Sequence, residues 1–125
     1  MFEDAHGVAV IAASDLARAR GFYEGVLGLT PVTEPSEEEV FYRLGQTQVL
    51  VYRTGFAGTA KNTVLAIETP HLERDMTSLR ERGVTFEEYD FPGLTTVDGV
   101  ADLEAERAAW FTDSEGNVLA LSERK

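Results

Sequence analysis

The sequence states one pattern twice: VAVIAASDLARARGFYEGVLGL at 8 to 29 is echoed by VLAIETPHLERDMTSLRERGV at 64 to 84. Val8 matches Val64, Leu16 matches Leu72 and Arg18 matches Arg74, while Gly28 falls one place off Gly83. Each copy reads as a buried strand, a polar helix start, an amphipathic helix and a glycine stop. An apolar strand closes each copy, QVLVYR at 48 to 53 and NVLALSER at 117 to 124, with Val49 matched to Val118 and Val51 to Ala120. A duplicated βα unit is the expected architecture, and chemistry is expected between the copies, where equivalent strands would face one another.

Local signals place the elements. Residues 6 to 13 have the length and apolarity of a strand, and Ser14 or Asp15 can cap the helix that follows. Leu16, Ala19, Phe22 or Tyr23, and Val26 recur at three- and four-residue spacing, as do Leu72, Met76 and Leu79 in the second copy. Gly21 and Gly25 are poor helix formers, so close approach of that helix to a sheet is expected there. His71 reads as a capping or surface residue. Strands are expected near 29 to 34, 39 to 44 and 47 to 53, then near 62 to 68, 84 to 90, 107 to 112 and 117 to 122. TGFAGTAK is the connector. The segment FPGLTTVDGVADLEAER, 91 to 107, matches nothing in the first copy, and its length leaves two readings, a mobile excursion or a lid over a site.

At 125 residues the chain suits one domain, with module one at about 5 to 53 and module two at about 62 to 123. Cysteine is absent, which excludes disulfides and thiolate chemistry. The acidic start and the lack of a long apolar run predict a soluble, cytoplasmic protein. With 11 Lys and Arg against 22 Asp and Glu, the net charge of −11 disfavours nucleic acid and anionic membranes as partners. No serine-nucleophile elbow, phosphate loop or dinucleotide fingerprint is present.

The run SDLARARGFYEGVLGL, the later AWFTDSEGNVLALSE and the duplication together resemble the vicinal oxygen chelate superfamily, which includes glyoxalase I, bleomycin resistance proteins and extradiol dioxygenases. The resemblance covers about residues 5 to 123. It implies an α+β fold of two tandem βαβββ modules, curled into an eight-stranded cup with two helices packed outside. It also implies metal ligands, His, Glu or Gln, on the first and last strand of each module. Counted from Asp15 and Asp113, those positions fall on Val8 and Ala120, and their partners on Val64 and Val51. All four are aliphatic, and a divalent cation needs oxygen, nitrogen or sulfur donors. A metal-free protein without cofactor is therefore expected.

Strand alternation then describes the expected cup. If Val8, Val51, Val64 and Ala120 point inward, so do Val10, Ala12, Val49, Ala66 and Val118. His6, Arg53, Asn62, Glu68 and Ser122 fall toward strand ends, giving an apolar floor with polar groups around it, the usual make-up of a small-molecule site. Trp110 is the aromatic best placed to stack on a planar ligand. Two functions fit: a homodimeric binding protein for a small, partly apolar molecule, or a lyase or dioxygenase-type enzyme with displaced ligands or with Glu68 or His6 as acid or base.

Overall fold

Two sheets and two helices share one hydrophobic core. A computed structural model describes all of residues 1–125. Module one runs β1 (Ala9–Ala13), α1 (Leu16–Arg20), a π-helical continuation (Gly21–Val26), β2 (Thr30–Pro31), β3 (Glu39–Leu44) and β4 (Thr47–Arg53). Module two runs β5 (Thr63–Glu68), α2 (Leu72–Glu81), β6 (Asp90–Phe91), β7 (Leu94–Val97), β8 (Val100–Asp102), β9 (Glu106–Thr112) and β10 (Val118–Arg124). The strand orders are β1-β4-β3-β2 and β5-β10-β9-β8-β7-β6. In both sheets the first strand of the module lies parallel to its closing strand, β1 to β4 and β5 to β10. The α+β, two-module fold agrees with the expectation, and module two adds short strands beyond the eight.

Asp15 caps α1, its Oδ1 accepting from the Arg18 backbone N–H at 3.0 Å. The helix then widens into π geometry through Gly21–Val26. Gly21 and Gly25 do not mark a close approach to a sheet, contrary to expectation, because nothing lies within 4 Å of where their Cβ atoms would stand. Instead the two glycines fall in the π-helical stretch, which directs Phe22 and Tyr23 into module two. At α2 the exposed His71 makes no side-chain cap, and Glu123 of β10 accepts from the Leu72 N–H at 3.1 Å instead.

The unmatched segment has regular structure of its own. Its centre is the β7–β8 hairpin, turned at Asp98 and Gly99, both with positive φ (53° and 82°). A two-residue Asp-Gly loop is a strong hairpin signal because both central residues of such a turn need that conformation. Arg80 donates to the Asp98 carbonyl at 2.9 Å, and Gly99 sits against Phe86, so the tip is held on α2. Residues 84 to 89, expected as a strand, are irregular, although the Glu87 N–H donates to the Trp110 carbonyl at 2.8 Å.

The core is one cluster of 17 buried residues drawn from both modules. Phe111 of β9 lies 6.5 Å from Phe22 and 5.5 Å from Phe86, and Tyr23 stacks on Tyr42 at 6.0 Å. A polar clasp joins the modules at the β9–β10 turn. Asp113 accepts from the Tyr23 hydroxyl at 2.6 Å and from the Asn117 side chain at 2.8 Å, and Asn117 also donates to the Ala12 carbonyl. Glu115 accepts from the backbone N–H groups of Ser14 and Asp15 and from the Arg18 guanidinium.

Candidate functional site

The space between the modules is filled by core except at one end of the seam, and the broad faces left open to a ligand are the outer ones, turned away from it. Register identifies them. Val10 pairs with Leu50 and Ala12 with Tyr52, while Leu50 and Tyr52 pair across with Phe41 and Glu39. Ile11, Val40 and Val51 share the opposite face and are buried in the core. Sheet one thus presents an apolar outer face on which Val10 is 55% exposed and Tyr52 39% exposed.

The outer face of sheet two combines small residues with aromatic ones. Ala120 pairs with Ala66 on one side and Trp110 on the other, and Ser122 pairs with Glu68 and Ala108. Tyr89 meets Trp110 edge to face at 5.6 Å, and Phe91 meets Tyr89 in the same way at 5.8 Å. Such pairs favour offset or edge-to-face contact because the ring face is negative and the rim positive. The result is a row of three rings beside an alanine floor, ending in Phe91, which is 52% exposed. Burial pushes the Tyr89 phenol pKa up, and the nearby Glu87 carboxylate adds to the rise.

The residues singled out in the sequence divide between these surfaces. Trp110, Ala120, Ser122 and Glu68 come together on the outer face of sheet two, with Glu68 held by Arg124 at 3.0 Å. Val8 is half-buried just before β1, and His6 is exposed in the segment preceding it. Asn62 is exposed and donates to the Thr63 carbonyl. Val64 is half-buried and packs against the core cluster. Val51 does not face the cup: it is fully buried, paired with Ile11, on the core side. Val49 shares that burial, and Arg53, on the same side of β4, is bound to Glu38 at 2.6 Å.

The reason is a one-residue slip in matching the closing strands. In module two Ala66 pairs with Ala120, and its module-one equivalent Val10 pairs with Leu50, so Leu50 and not Val51 corresponds to Ala120. Because side chains alternate with period two, a slip of one exchanges the faces. Tyr89 and Phe91 are among the aromatic residues that could stack on a planar ligand, with Phe41, Tyr42, Tyr52 and Phe56, but nothing in the sequence joins these two to Trp110: Tyr89 lies in an irregular stretch and Phe91 in a two-residue strand.

The metal positions can now be tested on the corrected register. Val8, Leu50, Val64 and Ala120 offer no donor atom, and no three His, Asp or Glu side chains gather closely enough to hold an ion. The residues present do not fit the metal that the fold's metal-dependent members use.

No protein-family model matches the chain, and no curated protein matches it in sequence. Solved structures do. Lactoylglutathione lyase from Agrobacterium tumefaciens aligns at TM-score 0.69 and 18% identity, over 95% of this chain and 92% of that one. TnmS3, an antibiotic binding protein from Streptomyces sp. CB03234, aligns at TM-score 0.64 and 20% identity, over 96% and 97%. The fosfomycin resistance protein FosX from Listeria monocytogenes aligns at TM-score 0.72 and 12% identity, over 100% and 94%. At these identities the likeness is one of fold alone, and it spans both modules: this chain shares its fold with the lactoylglutathione lyase, the antibiotic binding protein and the fosfomycin resistance protein.

Proposed function

We propose that the protein binds a small, planar, partly apolar molecule, without a metal, in a cup made when the outer face of sheet one meets the outer face of sheet two of a second copy. The observation that carries this reading is the row Trp110, Tyr89 and Phe91 beside the Ala66 and Ala120 floor, a stacking surface that lies outside the core of its own chain. Edge strands support the assembly. β1 and β5 occupy equivalent edges, each paired on one side only, and an open edge next to an exposed apolar face favours association. The net charge of −11 favours a cationic ligand over an anionic one. TnmS3, similar in fold, is an antibiotic binding protein, which fits a binding role.

Nothing favours the enzymatic reading to the same degree. Of the two groups considered for proton transfer, Glu68 is tied to Arg124 and His6 lies outside the strands.

Titrating the protein with planar aromatic cations of the acridine class should quench Trp110 fluorescence saturably. Trp110 is the sole tryptophan, so the signal reports this face alone. Since Trp110→Ala removes that fluorophore, its binding is followed by calorimetry, and affinity should fall about tenfold, or about 1.4 kcal/mol. Unchanged affinity would place the ligand elsewhere. For the metal, protein purified without chelator and analysed by elemental mass spectrometry should carry well under one equivalent of Zn, Ni, Fe, Mn or Co. A stoichiometric transition metal would overturn the metal-free reading.

A further inference from the structure

The modules meet along a seam, and at one end of that seam the core is not closed. Leu27, Leu29 and Leu44 from module one face Ile67, Leu79 and Leu121 from module two across a crevice of about 250 Å³, with Asp75, Ser78 and Arg82 at its rim. Leu79 and Leu121 are buried, while the other four aliphatic residues are only half covered. The crevice is remote from the aromatic row: neither Trp110 nor Ala120 lines it, and Leu121 belongs to the opposite face of β10.

The polar groups at the rim differ in how far they are satisfied. Asp75 is committed, accepting from the Thr69 hydroxyl at 2.5 Å and from Arg74 at 3.1 Å. Arg82 donates through one nitrogen to the Val26 carbonyl at 3.2 Å and has no carboxylate partner, in a chain with twice as many acids as bases. Ser78 lies in the last turns of α2 and Arg82 is the residue that ends it, and both line the crevice. A guanidinium fork and a hydroxyl over an aliphatic crevice make a complementary setting for a carboxylate whose tail is apolar, because direct charge-assisted hydrogen bonds outweigh a net charge that salt screens beyond about 8–10 Å.

From this geometry we infer a second ligand site, specific for a short aliphatic carboxylate, in the seam between the modules. The tail lies among the six aliphatic side chains, and the carboxylate accepts hydrogen bonds from Arg82 and Ser78. Size limits the ligand: about 250 Å³, at roughly 30 Å³ for each small liquid-packed group, holds about eight non-hydrogen atoms.

The test uses hexanoate as probe and the intact chain with methyl-labelled leucine and isoleucine. Hexanoate should shift the methyl resonances of Leu44, Ile67 and Leu121 saturably, and hexylamine should not. Arg82→Met, which keeps the apolar stem and removes the charge, should weaken hexanoate at least tenfold, with the urea midpoint checking that loss of the Arg82 to Val26 hydrogen bond leaves the chain folded. Ile67→Phe, filling the crevice from a half-covered position, should abolish the shifts, with the urea midpoint confirming a folded chain. Equal binding of hexanoate and hexylamine would overturn the proposal, as would unchanged affinity in Arg82→Met or shifts confined to other methyls. Trp110 fluorescence serves as a separate reading of the aromatic face, so failure here leaves the cup proposal standing and the reverse also holds.

Discussion

Glu115→Ala should lower the unfolding free energy by about 2–3 kcal/mol, read as a fall in the urea midpoint at neutral pH. The Glu115 side chain is wholly inaccessible to solvent, yet its two carboxylate oxygens receive hydrogen bonds from Ser14, Asp15, Arg18 and Ser114. Alanine would take away the acceptor that the Ser14 and Asp15 N–H groups share with Arg18, and those exposed groups would turn to water instead, so the loss is that of several charge-assisted hydrogen bonds. The clasp joins the β1–α1 corner of module one to the β9–β10 turn of module two, so its loss should also loosen the seam. A change below about 1 kcal/mol would show that apolar packing alone holds the modules together.

The same residue predicts a pH dependence. Burial by itself would raise the Glu115 carboxyl, but the hydrogen bonds from Arg18, the Asp15 N–H, Ser114 and Ser14 outweigh it and hold the pKa down to about 2. Against 4.5 for an ordinary glutamate, that difference corresponds to about 3 kcal/mol of stability. Because the folded value is the lower one, the contribution is fully present above pH 4.5 and is lost as the pH falls toward 2. Glu115→Gln should therefore be less stable than the parent at pH 7, with the gap closing as acid is added. A gap constant between pH 7 and 3 would remove the carboxylate's charge from the account.

What the sequence made legible follows from the range of the forces involved. The helix stripes of Leu16 and Ala19, and of Leu72, Met76 and Leu79, are local periodicities, and the structure buries those residues. Duplication matched the first and closing strands of the two copies, but their parallel pairing, β1 with β4 and β5 with β10, is seen only in the structure. The Val51 assignment failed because apolar residues run through QVLVYR on both faces, so the strand alone does not fix which parity faces the helices. Asp98-Gly99 carried a readable hairpin signal inside a segment whose length drew attention first. The arrangement of the modules was not legible at all. It rests on meetings such as Tyr23 with Asp113 and Phe22 with Phe111, far apart in sequence and invisible to any window of periodicity. Hence the outer faces, and not the space between the copies, became the candidate site.

Val10→Arg should raise the dissociation constant of the dimer at least a hundredfold while leaving the stability of the single chain nearly unchanged. Val10 is 55% exposed and outside the core cluster, so in a lone chain the arginine head remains in water, and surface substitutions of that kind usually fall within about 0.5 kcal/mol. In the dimer the same position would lie against the partner's sheet, where an unpaired charge is desolvated, and a penalty of about 3 kcal/mol corresponds to the hundredfold loss. Light scattering at micromolar concentration should show the parent as a dimer and the variant as a monomer. Ligand binding gives the sharper test. Val10 stands on sheet one and Trp110 on sheet two, with the core between them in the same chain, so Val10→Arg can reach the aromatic row only through a second copy. Loss of Trp110 quenching in a folded, monomeric Val10→Arg protein therefore links the two faces across the interface. A monomeric parent would end the shared-cup reading at once. A monomeric variant that still quenches with unchanged affinity would show that the aromatic face of one chain binds alone, and the site would then be an open platform rather than a cup.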